Sequence, residues 1–136
     1  MRNLTQSLIR IRAAMRSASY AAAVLALGSS ACLAAPDAAA GQKVFASQCS
    51  GCHATEPNVN KIGPSLAGVF GRKSGTEAGF NYSPALKAAA ITWDEMTLDE
   101  FIQNPNADVH GTKMFVSVPG NDARQNVIAY LKTLKP

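Results

Sequence analysis

A chain of 136 residues has room for one domain, not for several. Its formal charge of +4 comes from thirteen Lys and Arg against nine Asp and Glu, but Arg2, Arg10, Arg12 and Arg16 all lie near the start, and without them nine basic residues face nine acidic ones. The rest of the chain is therefore close to neutral, which argues against a charge-driven nucleic-acid binder.

The early arginines precede an apolar run, Tyr20 to Leu27, and small residues follow from Gly28 to Ala35. That order predicts a secretory signal over residues 1–34, cleaved after Ala34, and a mature domain over residues 35–136. A retained membrane anchor is the alternative, although the run falls short of the ~20 residues a span requires. Cys32, preceded by Ser29-Ser30-Ala31, faintly resembles a lipoprotein cleavage site; it is expected to leave with the signal, since stable lipid anchoring normally takes a second membrane signal. Export points to a periplasmic location.

In the mature part, Asp37 is placed to cap a helix over about 38–49, with Phe45 turned inward. Gly41 inside that helix costs ~1 kcal/mol relative to Ala, so a packing reason for it is expected. At its end stands Cys49-Ser50-Gly51-Cys52-His53. Two thiols three residues apart, followed at once by an imidazole, are what covalent haem attachment needs: each cysteine adds across one vinyl group, and the histidine becomes the proximal iron ligand. A zinc site would need a second such pair, and only Cys32 and His110 are left as soft ligands. A thioredoxin-like redox pair would need a βαβ context, and no strand-like run precedes the motif.

From Ala54 to Asn81 the chain is polar and rich in Gly and Pro, which predicts a long ordered loop wrapped around a partner, for which haem is the obvious candidate. Ser83-Pro84 opens a short helix through Ala90. Thr97-Leu98-Asp99-Glu100 has the form of a capping box, opening a helix that Pro105 ends. Residues 106–120 read as irregular, and a last helix begins near Asn121 or Asp122, with Val127, Ile128, Leu131 and Leu134 on one buried stripe. The fold class is all-α, three to five helices with large loops.

The second axial position of the iron has few candidates: Met96, Met114, His110, and lysines once deprotonated. Met96 sits by a helix start and reads as an ordinary core or rim methionine, while His110 reads as solvent-facing. Met114, in Gly111-Thr112-Lys113-Met114, lies in an irregular loop where no helical period explains a buried thioether. A neutral thioether opposite the imidazole favours ferrous iron and raises the reduction potential, and two filled axial positions exclude substrate.

The sequence resembles the class I cytochromes c, closest to the soluble mitochondrial and bacterial type, cytochrome c2 or c550-like. The resemblance runs from about Ala38 to Leu134 and rests on Cys49–His53, Ile62–Lys73, Ile91-Thr92-Trp93, Gly111–Met114 and Val127–Leu131. It implies the class I cytochrome c fold and one covalent haem c held by Cys49 and Cys52, with His53 and Met114 as axial ligands. It implies that the Pro64 carbonyl bonds the His53 ring, that Arg72, Tyr82 and Trp93 surround the haem propionates, and that Thr112 lies beside the haem. Gly41 and Phe45 are expected to meet Tyr130 where the first and last helices cross. Three positions depart from the family pattern: Leu86 and Phe101 replace polar groups near the haem, and the aromatic after Met114 is at Phe115 rather than one place later. The lysine-rich face of many relatives is thin here, with Lys61, Lys87 and Lys113 as rim charges.

These features predict a monomeric periplasmic single-electron carrier rather than an enzyme, exchanging electrons with a dehydrogenase or reductase as donor and an oxidase or other reductase as acceptor. A subunit dedicated to a periplasmic dehydrogenase or oxidase is the alternative. A haem peroxidase or gas sensor is disfavoured, because nothing beside the iron resembles a distal acid/base pair.

Overall fold

The computed structural model describes residues 35–136; the expected signal segment and Cys32 lie outside the described residues. Asp37 caps the first helix, its carboxylate accepting from the Ala39 N–H at 2.8 Å, while its own N–H donates to Asn126 Oδ1 at 2.8 Å. The helix, α1 (Ala38–Val44), runs on into a single π-helical turn, Phe45–Cys49, in which the Ser50 N–H reaches back to the Phe45 carbonyl at 2.9 Å. That wider turn replaces the last part of the regular helix expected to 49, and such turns often sit at functional sites.

Four more helices follow: α2 (Pro84–Ala89), α3 (Glu95–Gln103), α4 (Pro105–Asp108) and α5 (Asn121–Leu131). α1 packs chiefly on α5, which also meets α3. Gly41 is buried in the α1–α5 crossing, where a Cβ would stand 1.9 Å from the Asn126 carbonyl oxygen; this is the packing reason for a glycine inside a helix. One turn on, the Phe45 and Tyr130 rings meet with centroids 5.6 Å apart. Val127, Ile128 and Leu131 of α5 join Leu98, Phe101 and Ile102 of α3 in one core, and Trp93 packs on Phe101 at 5.0 Å between centroids. Leu134, past the end of α5, is half-buried against that core.

α2 begins as expected, with the Ser83 hydroxyl accepting from the Leu86 N–H at 3.2 Å and Pro84 at its first position; Ala90 ends it in a left-handed conformation, φ 51°. α3 starts earlier than the Thr97–Glu100 pattern suggests. Asp94 is its cap, and the box is reciprocal: the Thr97 N–H donates to the Asp94 carboxylate at 2.9 Å, and the Asp94 N–H donates to the Thr97 hydroxyl at 2.9 Å. The carboxylate three residues upstream is a good cap, so Thr97 serves as its partner and not as the cap itself. Pro105 does end α3, but it also opens α4 at a position where its missing N–H costs nothing, so residues 106–108 are helical rather than irregular.

The long loop between Cys52 and Ser83 is held by its own polar groups. The Gly63 N–H donates to the Cys52 carbonyl at 2.8 Å, and Asn60 bonds both Ser65 and Ala78. An antiparallel bridge pairs Lys73 with Thr92, and the neighbouring Trp93 N–H donates to the Arg72 carbonyl at 2.9 Å. The bridge places Arg72 and Trp93 side by side. Among the described residues no helix is long and apolar enough to cross a membrane.

Candidate functional site

The core does not close on itself. A cavity of about 280 Å³ enters it, and the apolar floor is made by core side chains, among them Leu98, Phe101 and Val127. Around the same cavity stand Cys49, Cys52, His53, Pro64, Arg72, Tyr82, Trp93, Thr112 and Met114. Gly41, Phe45 and Tyr130 lie outside it, in the helix crossing that supports its wall.

The π turn brings Cys49 to the cavity, and a tight turn in which the Cys52 and His53 N–H groups both donate to the Cys49 carbonyl, at 3.0 and 2.9 Å, brings the other two. Both cysteines are free and half-buried. Burial, with Cys52 adding to it, pushes the Cys49 thiol up to about 11, so it is protonated at neutral pH. The His53 Nδ1–H donates to the Pro64 carbonyl at 2.8 Å. Burial lowers the His53 pKa, Lys61 lowers it further, and the Pro64 bond opposes both. A neutral ring with Nδ1 engaged leaves the Nε2 lone pair for a metal. Gly63 makes room for that ring: a Cβ there would stand 2.3 Å from His53 Cε1.

Opposite elements complete the rim. Lys113 Nζ donates to the Asn81 carbonyl at 3.2 Å, tying the two long loops together. The buried Thr112 donates its N–H to the Val109 carbonyl at 3.0 Å, and its hydroxyl accepts from the Met114 N–H at 3.3 Å. Met114 is half-buried on the cavity; Met96 is 65% exposed, His110 is exposed, and neither borders it. Arg72 donates through Nη2 to the Ser65 carbonyl at 2.7 Å and through Nη1 to the Ala67 carbonyl at 3.0 Å and to the Glu77 carboxylate. Burial raises the Tyr82 pKa, with the Arg72 guanidinium opposing it.

The donor set fits a covalently tethered haem: an apolar slot, two adjacent thiols at its mouth, and an oriented neutral imidazole over it. Zinc has less support, because among the described residues no three His, Cys, Asp or Glu side chains gather as a metal cluster. Three contributors escape sequence reading. Gly63 was legible only as turn punctuation, although its place beside Pro64 is the clue. Glu77 and Arg124 carry no motif. Arg124, on α5, is 5% exposed and gathers the carbonyls of Val118 and Pro119 together with the Asp99 carboxylate, at 2.8 Å from Nε, so it fixes the return of the Met114 loop into α5.

The profile of the family described as Cytochrome c matches residues 38–135. The chain is 47% identical over 100 residues to a cytochrome c of Euglena viridis, covering 73% of this chain and 98% of that one. It is 48% identical over 101 residues to a cytochrome c2 of Blastochloris viridis, covering 73% and 79% of the two. Among solved structures it is similar to cytochrome cH from Methylobacterium extorquens, at a TM-score of 0.66 and 42% identity, covering 71% of this chain and 98% of that one. The chain belongs to the class I cytochromes c, haem-based electron carriers with one covalently bound haem c, and its Cys49 and Cys52 lie in the Cys-X-X-Cys-His region of that family.

Proposed function

We propose that the mature domain, residues 35–136, is a periplasmic, monomeric carrier of single electrons, exported by a signal over residues 1–34 and not itself an enzyme. The observation that carries this reading is that His53, its Nδ1–H held by the Pro64 carbonyl, and Met114 border one apolar cavity with both cysteines. When bound, the haem supplies an iron that gains and gives up one electron.

The chain's own residues make that exchange easy and keep other chemistry out. Cys49 and Cys52 hold the group through two thioethers. The Pro64 bond fixes the His53 ring and raises its donor strength. The Thr112 hydroxyl accepts from the Met114 N–H and steadies the backbone there, which would help Met114 hold the iron. Core side chains exclude water from the floor of the cavity, and His53 and Met114 together would hold the iron and leave no site for peroxide or gas. Arg72, Tyr82 and Trp93 are the residues that would hold the haem carboxylates. Ile62 and Phe115, 80% and 83% exposed at the cavity rim, form an apolar edge suited to a small transient contact with redox partner proteins. With the domain near neutral, long-range steering of those partners is weak.

The test is spectroscopic. In the haem-loaded protein Met114→Ala is expected to abolish the methionine-to-iron charge-transfer absorption and to gain carbon monoxide binding in the ferrous state, which the parent is expected to lack. An unchanged ferric spectrum removes Met114 from the axial role, and ready binding of carbon monoxide by the parent at neutral pH removes the carrier assignment.

A further inference from the structure

Arg72 stands between two spaces. Inward it borders the apolar cavity with Tyr82 and Trp93; outward, with Glu77, it borders a surface cleft of about 560 Å³ that neither the cysteines nor His53 reach. The Arg72 and Glu77 side chains are only 18% and 10% exposed, so their charges are weakly screened. Of the five N–H donors of the guanidinium, three are used by Glu77, Ala67 and Ser65. The Nε–H and one Nη2–H remain for an anionic group arriving from the cavity. Among the described residues Arg72 is the one guanidinium that lines the cavity, and it is already matched by a carboxylate behind it. Burial raises the Tyr82 pKa, the Arg72 guanidinium and a hydrogen bond with the Glu77 backbone lower it, and the Glu77 carboxylate adds to the rise, which places the three groups in one electrostatic cluster.

We propose that Glu77 is a positioning residue that acts through Arg72, drawing the guanidinium outward and offsetting its charge, and so lowers the reduction potential of the haem. The inference rests on the reading above that Arg72 lies at the haem carboxylates. Ferric iron carries one more positive charge than ferrous iron, so a guanidinium left unmatched favours the reduced state, and a carboxylate matching it favours the oxidised one.

The experiment is a midpoint-potential titration by spectroelectrochemistry on the haem-loaded protein and its variants, with haem content and the charge-transfer absorption recorded for each. Glu77→Gln is expected to raise the potential and Arg72→Gln to lower it. In the Arg72→Gln background the Glu77→Gln shift should be smaller, because the part that acts by positioning the guanidinium is gone and only the carboxylate's own field on the iron remains; a shift of undiminished size overturns the positioning role. Glu100→Gln, at an exposed position, should leave the potential in place. If Arg72→Gln loses haem, Arg72→Lys replaces it, and the Glu77→Gln shift should shrink there because the fork is lost. A potential that moves with Arg72→Gln but not with Glu77→Gln overturns the proposal, as does an equal shift from Glu100→Gln. If neither Arg72→Gln nor Glu77→Gln moves it while haem and ligation are intact, the placement of the haem carboxylates at Arg72 is wrong, and the proposal falls with it.

Discussion

Replacing Gly41 by alanine tests the helix crossing that supports the cavity. In isolation the change favours the helix, by up to ~1 kcal/mol. In the structure the new Cβ would lie 1.9 Å from the Asn126 carbonyl oxygen, 2.5 Å from the carbonyl carbon and 2.9 Å from Tyr130 Cβ. Two of these are backbone atoms of α5, which cannot rotate away. Restoring even a close C···O contact of ~3.3 Å means parting the helices by more than about 1 Å. That also parts Phe45 from Tyr130 and loosens the seating of Val127 and Ile128. Overpacking a tight site costs ~1–3 kcal/mol, occasionally more, and with rigid backbone as the obstacle the upper end applies. The net expectation is a loss of about 2 kcal/mol, read as a lower midpoint in guanidinium denaturation of the haem-loaded protein and a melting temperature lower by roughly 8–16 °C. Gly51→Ala is the control, since a Cβ there meets nothing within 4 Å. A Gly41→Ala variant as stable as the parent would refute the close crossing and leave that glycine unexplained.

Two further perturbations separate other parts of the fold. Arg124→Met removes the cation from Asp99 and leaves the Val118 and Pro119 carbonyls unpaired. Breaking a buried pair costs ~3–5 kcal/mol, and because the Asp99 side chain is 24% exposed the lower end, about 3 kcal/mol, is expected in urea denaturation, with Arg124→Lys recovering only part; a loss under about 1 kcal/mol would contradict the anchoring role. Asp94 has its pKa lowered by the hydrogen bonds from the Thr97 backbone and hydroxyl, so its charged form is favoured by folding. The stability it adds is present above its unfolded pKa and is lost as pH falls through the lower folded value. Thermal melts of the parent and Asp94→Asn should therefore differ at pH 6 and converge in strong acid, and a gap that stays constant with pH would contradict the capping assignment.

Where the physics is local, the order of residues was sufficient. Asp37 and Ser83 cap helices through bonds two or three residues long, Pro84 takes a first helical position, and the spacing of Cys49, Cys52 and His53, with no second cysteine pair and no strand-like run beside it, specifies covalent haem. The all-α class followed from the same short-range rules, and the stripe on α5 from helical period. Local rules also have ties: Asp94 and Thr97 each suit a cap, and Pro105 suits both the end of one helix and the start of another; in the fold Asp94 caps with Thr97 as its partner, and Pro105 takes both roles.

Residues that meet only in three dimensions were decided by the folded chain. Gly41 could be suspected from its helix, but the Asn126 carbonyl that requires it is 85 residues further on. Arg124 lies on an amphipathic helix where a surface cation is the ordinary expectation; only the convergence of α3, α5 and the loop after Met114 buries it against Asp99 and two carbonyls. Glu77 is one acidic residue in a glycine-rich loop until that loop folds its carboxylate against Arg72. Hydrogen-bond reach along the chain spans a few residues and is written in the sequence, whereas charge pairing and close packing depend on which distant segments the core brings together.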